Sequence, residues 1–162
     1  MGNSAPADIP DLDLFCNAWG DALTSRSTDA VLELTSPDIT WDDTVFWPSV
    51  VHGHDELRRY MDTVWKTMPD YEYYEVGRFF GPSGDRAVVL WGQRGSGTAA
   101  ATAGATFDFQ GCDVFLRFEE GKLAHYQAAY EITDMARQLG LLPPRGDQLG
   151  VQYLRSLTHQ QA

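Results

Sequence analysis

GCDVFLRFEEGKLAHYQAAY, residues 111–130, reads as a β-hairpin that turns at Glu119, Glu120, Gly121 and Lys122. Its first arm alternates: Cys112, Val114, Leu116 and Phe118 fall on one face, and Gly111, Asp113, Phe115 and Arg117 on the other. A loop of two or four residues pairs Phe118 with Leu123. That register sets Asp113 opposite Ala128, on the face of Ala124, Tyr126 and Tyr130. Two tyrosines, a phenylalanine and alanines around one carboxyl describe a cavity wall. Desolvation there raises the carboxyl pKa and favours its neutral, hydrogen-bond-donating form. A three-residue loop turns Asp113 instead towards His125, Gln127 and Glu131, a solvent face.

The chain around this hairpin has 162 residues, 43% of them hydrophobic, the size of one domain with a proper core. An aromatic share of 12%, with five Trp, suits a small-molecule cavity. The net charge of −11 argues against nucleic acid or an anionic membrane as partner. The first ten residues lack a basic start and an apolar run, and no stretch reads as a membrane span, so a cytoplasmic protein is expected. Cys16 and Cys112 read as separate buried thiols.

From Leu12 the positions Leu12, Phe15, Cys16, Trp19 and Leu23 recur at helical spacing. A short helix capped by Asp29 is expected next, stopped by Pro37, then a strand over 39–46. A second amphipathic helix over 55–68 carries Leu57, Tyr60, Met61, Val64 and Trp65 on its inner stripe. Strands follow at 71–80, 86–95, 106–118 and 123–131. The segment 95–106, GSGTAAATAGAT, is either a long hairpin tip or a mobile flap. Helices are expected over 132–142 and 147–159. The domain plan is a loose tail over 1–10, one domain over 11–145 and a helical extension over 146–162. The fold class is α+β: a cone-shaped α+β barrel, in which a curved antiparallel sheet wraps over N-terminal helices and leaves an apolar pocket.

A second acidic site stands at ITWDDT, residues 39–44. Alternation puts Ile39, Trp41 and Asp43 on one face and Thr40, Asp42 and Thr44 on the other, so at most one of the adjacent carboxylates faces inward, and Asp43, beside Trp41, is the better candidate; the alternative is a charged strand end in water. Trp19 is a buried-stripe residue whose indole N–H needs a carboxylate or a substrate oxygen as partner. Trp91 shares a face with Val89 and Gln93. HGHD, residues 52–55, looks like a metal motif but lacks a third well-spaced ligand, and Asp55 or His54 fits better as a helix cap. No metal and no cofactor are expected, and His125 falls outside the pocket.

The helix break before ITWDD, the block GHDELRRYMDTVWKTMPD, the hairpin GCDVFLRFEEGK and the segment ITDMARQLGLLPP together resemble the SnoaL-like polyketide cyclases of the nuclear transport factor 2 superfamily. That superfamily also holds ketosteroid isomerase, scytalone dehydratase and limonene epoxide hydrolase. The resemblance implies that Asp43 stands where the isomerase keeps its proton-abstracting Asp, and Asp113 where it keeps a neutral, donating one. It also places Tyr126, Tyr130 and Trp91 on the pocket wall and implies a homodimer formed through the sheet. Two departures stand out. Trp19 occupies the position of the isomerase's oxyanion-binding Tyr, and Tyr126, Gln127 and Ala128 replace a His-Trp-Asp triplet found in many cyclase-like members.

The resulting expectation is a cofactor-independent cyclase or isomerase acting by acid–base catalysis on a hydrophobic, polyketide-like intermediate. Asp43, Asp113 and Trp19 are the catalytic candidates. Trp41, Tyr60, Trp91, Phe115, Tyr126 and Tyr130 are the substrate-binding ones. Two other readings use the same cavity: an epoxide hydrolase or epoxide-opening cyclase, and a non-catalytic shell for an apolar ligand.

Overall fold

A computed structural model of the chain describes residues 9–143. The hairpin forms as its pattern requires. Strands β5 (Thr106–Glu119) and β6 (Lys122–Tyr130) join through Glu120 and Gly121, both in the left-handed region at φ 49° and 75°. Two positive φ values in a two-residue loop match the twist of the flanking strands. The loop length sets the register: Phe118 pairs with Leu123, and Asp113 with Ala128. Two irregularities intervene, between Phe115 and Arg117 and between Arg117 and Phe118, and there the parity breaks. Phe118, expected opposite Phe115, is buried with it, their rings 6.4 Å apart and edge-on. A bulge of this kind bends a strand and re-aims the next side chain.

Helix α1 (Leu12–Thr24) opens with the Asp11 carboxylate accepting from the Leu14 N–H at 3.1 Å, and buries the expected stripe. Ile9, placed in the loose tail by sequence, packs partly buried against the core. Helix α2 (Thr28–Leu34) is capped by Ser27, which accepts from the Ala30 N–H at 3.1 Å, and not by Asp29, which sits in its first turn. The helix stops at Leu34, before Pro37. Strand β1 (Thr35–Asp42) therefore starts earlier than the pattern suggests and carries Pro37 in a stretch of irregular pairing, where a missing N–H is tolerated. It also ends earlier. Asp42 accepts from the backbone N–H and hydroxyl of Thr44, and the Asp43 carbonyl accepts from the N–H groups of Phe46 and Trp47. Those bonds turn the chain at Asp43.

After the two-residue strand β2 (Val51–His52) comes helix α3 (Gly53–Thr67). Neither Asp55 nor His54 caps it. The His52 N–H goes to the Glu56 carboxylate at 2.8 Å, and the His54 ring meets Thr35 at 3.1 Å, tying α3 to the start of β1. Among the described residues no group of three His, Cys, Asp or Glu side chains is placed to hold a metal ion. Strands β3 (Glu72–Phe80) and β4 (Ala87–Ser96) complete the sheet, and helix α4 (Ile132–Gln138) follows β6. The segment after β4 is a hairpin tip with a 3-10 turn at Ala100–Thr102 and a bridge between Gly97 and Ala103.

The sheet is curved and open, in the order β2-β1-β6-β5-β4-β3. One pairing departs from the antiparallel expectation: β1 runs parallel to β6, with Trp41 beside Tyr126 and Asp42 beside Gln127. That direction carries the end of β1 towards Ala128, the partner of Asp113. Helix α1 packs on β3, α3 on β1 and α4 on β5, so the helices cover one face. The other face is incompletely covered. Val88, Leu90, Cys112, Val114 and Leu116 are half-buried, and Cys112 is not the buried thiol expected. No described helix is long and apolar enough to cross a membrane. The helix expected over 147–159, the extension 146–162 and the tail up to residue 8 lie outside the described residues.

Candidate active site

Between the concave sheet face and α1, α3 and α4 lies a cavity with a free volume of about 60 Å³. Its floor is built by alternation. Trp91 and Gln93 come from β4, Phe109 and Asp113 from β5, Tyr126 and Tyr130 from β6 and Trp41 from β1. Trp19 and Leu23 close it from α1, Tyr60, Met61, Val64 and Trp65 from α3 with Met68 just past its end, and Ile132 and Met135 from α4. Its lining residues Phe46, Trp65, Met68, Ile132 and Met135 retain exposure and mark the mouth. A volume of this size admits a small head group, well short of the roughly 300–1,000 Å³ of a typical drug-sized pocket.

Asp113 is buried and accepts three hydrogen bonds. Trp19 Nε1 donates to Oδ2 at 2.8 Å, and Trp91 Nε1 and Tyr126 Oη donate to Oδ1 at 2.7 and 2.6 Å. An indole N–H is a donor only, so both carboxyl oxygens are fixed as acceptors. Burial pushes the Asp113 pKa up to about 6, against the downward pull of Tyr126, Trp19 and Trp91, with a smaller upward push from the charge of Asp43. Above that pH the carboxylate dominates, so the neutral donor expected from sequence is the minor form at pH 7. Carbon-detected NMR of the Asp113 carboxyl should show a titration midpoint near 6, moving down in Asp43→Asn. A midpoint near 4 would contradict the burial.

Asp43 is also buried, at the end of β1. Tyr60 Oη donates to its Oδ2, and Tyr130 Oη to its Oδ1 at 2.8 Å. Burial raises its pKa, opposed by the bonds from Tyr60 and Tyr130 and by the Phe46 N–H. The phenols of Tyr60, Tyr126 and Tyr130 are themselves pushed up, chiefly by burial and then by the nearby carboxylates, and remain protonated donors.

The rings pack tightly around these bonds. Trp41 stacks on Tyr126 with centroids 3.9 Å apart, and Trp91 lies 5.5 Å from Tyr130. Gly111 makes the second contact possible: a Cβ there would come within 2.6 Å of both Trp91 Cη2 and Tyr130 Cβ. Gly111→Ala should therefore displace Trp91 from Asp113 and cost about 1–3 kcal/mol by overpacking, read as a lowered midpoint in urea unfolding. An unchanged midpoint would mean that the neighbouring rings move freely.

Of the residues expected at the site, Asp43, Asp113, Trp19, Trp41, Tyr60, Trp91, Tyr126 and Tyr130 all line this one cavity. Phe115 does not. It is fully buried behind the wall, edge-on to Phe15 and Trp19 at 5.3 and 5.0 Å. His125 lies outside the cavity. The Trp19 N–H, expected to meet a carboxylate or a substrate oxygen, is engaged with Asp113. Sequence reading missed Trp65 as a wall residue, though it had placed it on the inner stripe of α3. Its Nε1 is buried with no hydrogen-bond partner, as is that of Trp41, another residue of the cavity wall.

The comparisons with known proteins agree with this architecture. The SnoaL-like domain family matches residues 17–126. No curated protein matches. A nuclear transport factor 2-like protein of unknown function from Burkholderia pseudomallei superposes with a TM-score of 0.68 at 21% identity, over 81% of this chain and 98% of that one. A protein with a ketosteroid isomerase-like fold from Catenulispora acidiphila, in complex with trimethylamine, gives 0.68 at 17% identity, covering 82% and 96%. The epoxide hydrolase/cyclase-like enzyme SalBIII, described for pyran ring formation in the polyether salinomycin, gives 0.64 at 17% identity, covering 75% and 92%. At these identities the likeness carries the fold alone. With its helices over one face of a curved six-stranded sheet, and a family match from the middle of α1 through Tyr126, the chain belongs to the SnoaL-like domain family.

Proposed function

We propose that the protein is a cofactor-independent acid–base enzyme, a SnoaL-like cyclase or isomerase of a hydrophobic, carbonyl-bearing, polyketide-like intermediate. The observation that carries this reading is the pair of buried carboxylates, Asp43 and Asp113, facing one aromatic cavity. Asp43 is the general base. Burial raises its proton affinity, and the two phenols hold it in one orientation for a proton on the carbon beside a carbonyl. The developing enolate oxygen finds a donor in the free Trp65 N–H. Trp19, Trp91 and Tyr126 are positioning residues that fix Asp113. Trp41, Tyr126 and Tyr130 hold the substrate so that its reacting ends meet.

The test is deuterium uptake. The protein in D2O is mixed with 1-tetralone and with an aryl β-ketothioester, and loss of the α-proton signal is followed by NMR. Catalysed uptake that depends on Asp43 supports the reading. Uptake no faster than in buffer, with both probes bound, would leave a binding shell. A second reading, epoxide opening, is favoured by the Asp113 pKa of about 6, which keeps a protonated carboxyl within reach near neutral pH beside a second carboxylate. Styrene oxide hydrolysed in 18O-labelled water would reveal it as labelled diol. Trimethylamine, held by the Catenulispora neighbour, is cationic at neutral pH, and a head group of that size suits this cavity. A homodimer covering the half-buried outer sheet face belongs to the same proposal. Sedimentation at twice the monomer mass checks it.

A further inference from the structure

We infer that the cavity takes a substrate carrying a positively charged nitrogen, an alkylammonium or quaternary ammonium group, seated by the two carboxylates and against the surrounding ring faces. This rests on the acid–base reading of the same cavity and names its substrate class.

The first observation is a missing counter-charge. Among the described residues the cavity wall holds two carboxylates and no Lys, Arg or His. The influences acting most strongly on Asp43 and Asp113 are burial, neutral donors and other carboxylates, none of them cationic. The contrast with the surface is direct. There Asp29 pairs with Arg58, Glu72 with Arg94, and Asp13 and Glu75 with Arg78. A buried charge is ordinarily paired. Here the fold leaves the partner to be brought in, and a ligand cation supplies it.

The second observation is the character of the rings. Tyr60 and Tyr130 donate to Asp43, while Trp19, Trp91 and Tyr126 donate to Asp113. A phenol or indole whose O–H or N–H points at an anion gains electron density on its π-face. Such faces attract cations, and the attraction is strongest when water is excluded. Five rings are polarised in the same sense. A carboxylate-bearing substrate would meet two like charges in a low-dielectric site and be rejected.

Size completes the argument. About 60 Å³ suits a compact alkylammonium head, with an apolar body reaching out past Phe46 and Trp65 at the mouth. In the proposed reaction, a positive nitrogen close to the reacting carbon would also stabilise the enolate formed when Asp43 takes the proton.

The probes are choline and its neutral isostere 3,3-dimethylbutan-1-ol, which differ only in N⁺ against C. Binding to the full-length protein is followed by Trp fluorescence and calorimetry at physiological salt. Choline should bind at least tenfold tighter than the alcohol. In Asp43→Asn that ratio should shrink severalfold while the affinity for the alcohol holds, which also shows that the variant is folded. Equal or weaker binding of choline, or no binding of it, overturns the inference. So does a preference untouched by Asp43→Asn, which would mark attraction to the acidic surface. Uptake of deuterium into neutral 1-tetralone without cation preference would leave the acid–base reading standing and remove only the cation. Cation preference without uptake would do the reverse.

Discussion

Asp43→Asn should slow deuterium uptake into a bound ketone by about 10²- to 10⁴-fold, the usual contribution of a positioned general base. The substitution is close to isosteric. Its remaining carbonyl oxygen still accepts from Tyr60 or Tyr130, so the turn at residues 43–47 and the cavity wall survive. What is lost is proton affinity, because an amide cannot take a proton from carbon at neutral pH. Ionised Asp43 is required, and its pKa is raised by burial. The wild-type rate should therefore climb with pH through that raised value and level off above it, and Asp43→Asn should lose this limb of the profile. A variant that keeps more than a tenth of the rate with the limb intact would remove Asp43 from the chemistry.

Asp113→Ala should be the most destabilising single truncation at the site, by about 3–5 kcal/mol at mildly acidic pH. It leaves the N–H groups of Trp19 and Trp91 and the Tyr126 hydroxyl without their acceptor, each at about 1–3 kcal/mol, partly offset where water enters. Asp113→Asn should cost less, about 1–3 kcal/mol. It keeps one oxygen, while its NH₂ faces an indole N–H or the phenol. The sign of the pH dependence follows from the raised pKa. Folded Asp113 holds its proton up to about pH 6, whereas the unfolded side chain releases it near 3.8. The stabilising contribution is thus complete below the lower value and lost as pH rises through the upper one. The loss amounts to about 3 kcal/mol in all, at about 1.4 kcal/mol per pKa unit. The gap between wild type and Asp113→Ala in urea unfolding should narrow accordingly between about pH 4 and pH 7. A gap that widens with pH would mean that the three donors outweigh burial and hold the pKa below its ordinary value.

The position of Asp113 was legible because hairpin geometry is local. Side chains alternate with a period of two, and Glu120 and Gly121 in the left-handed region make a two-residue loop that pins the pairing. The face shared by Trp41 and Asp43 followed from the same alternation, and the α3 stripe from helical spacing. The failures have physical causes too. Phe115 and Phe118 break parity because two register irregularities intervene, and nothing in the residue types marks them. Asp29 looked like a cap, but Ser27 lies at the residue whose φ and ψ are still extended, which is where a side chain can reach back to the N–H two or three residues on. Trp65 fitted the buried stripe, yet periodicity says nothing about whether an indole N–H finds a partner.

By itself the sequence determined the α+β class and the helix stripes, and narrowed the β5–β6 pairing to two registers, one of which turns Asp113 inward, since each depends on backbone periodicity and near neighbours; the two-residue loop decides between them. Only the tertiary structure decided that the two carboxyls face one space. That required β1 to lie parallel to β6, bringing Asp43 level with the Asp113 pair, and α1 to deliver Trp19 to a residue 94 positions away. It also required α3 to bring Tyr60 onto Asp43. Such meetings come from many weak packing contacts between distant elements, and no local pattern encodes which donor will reach which acceptor.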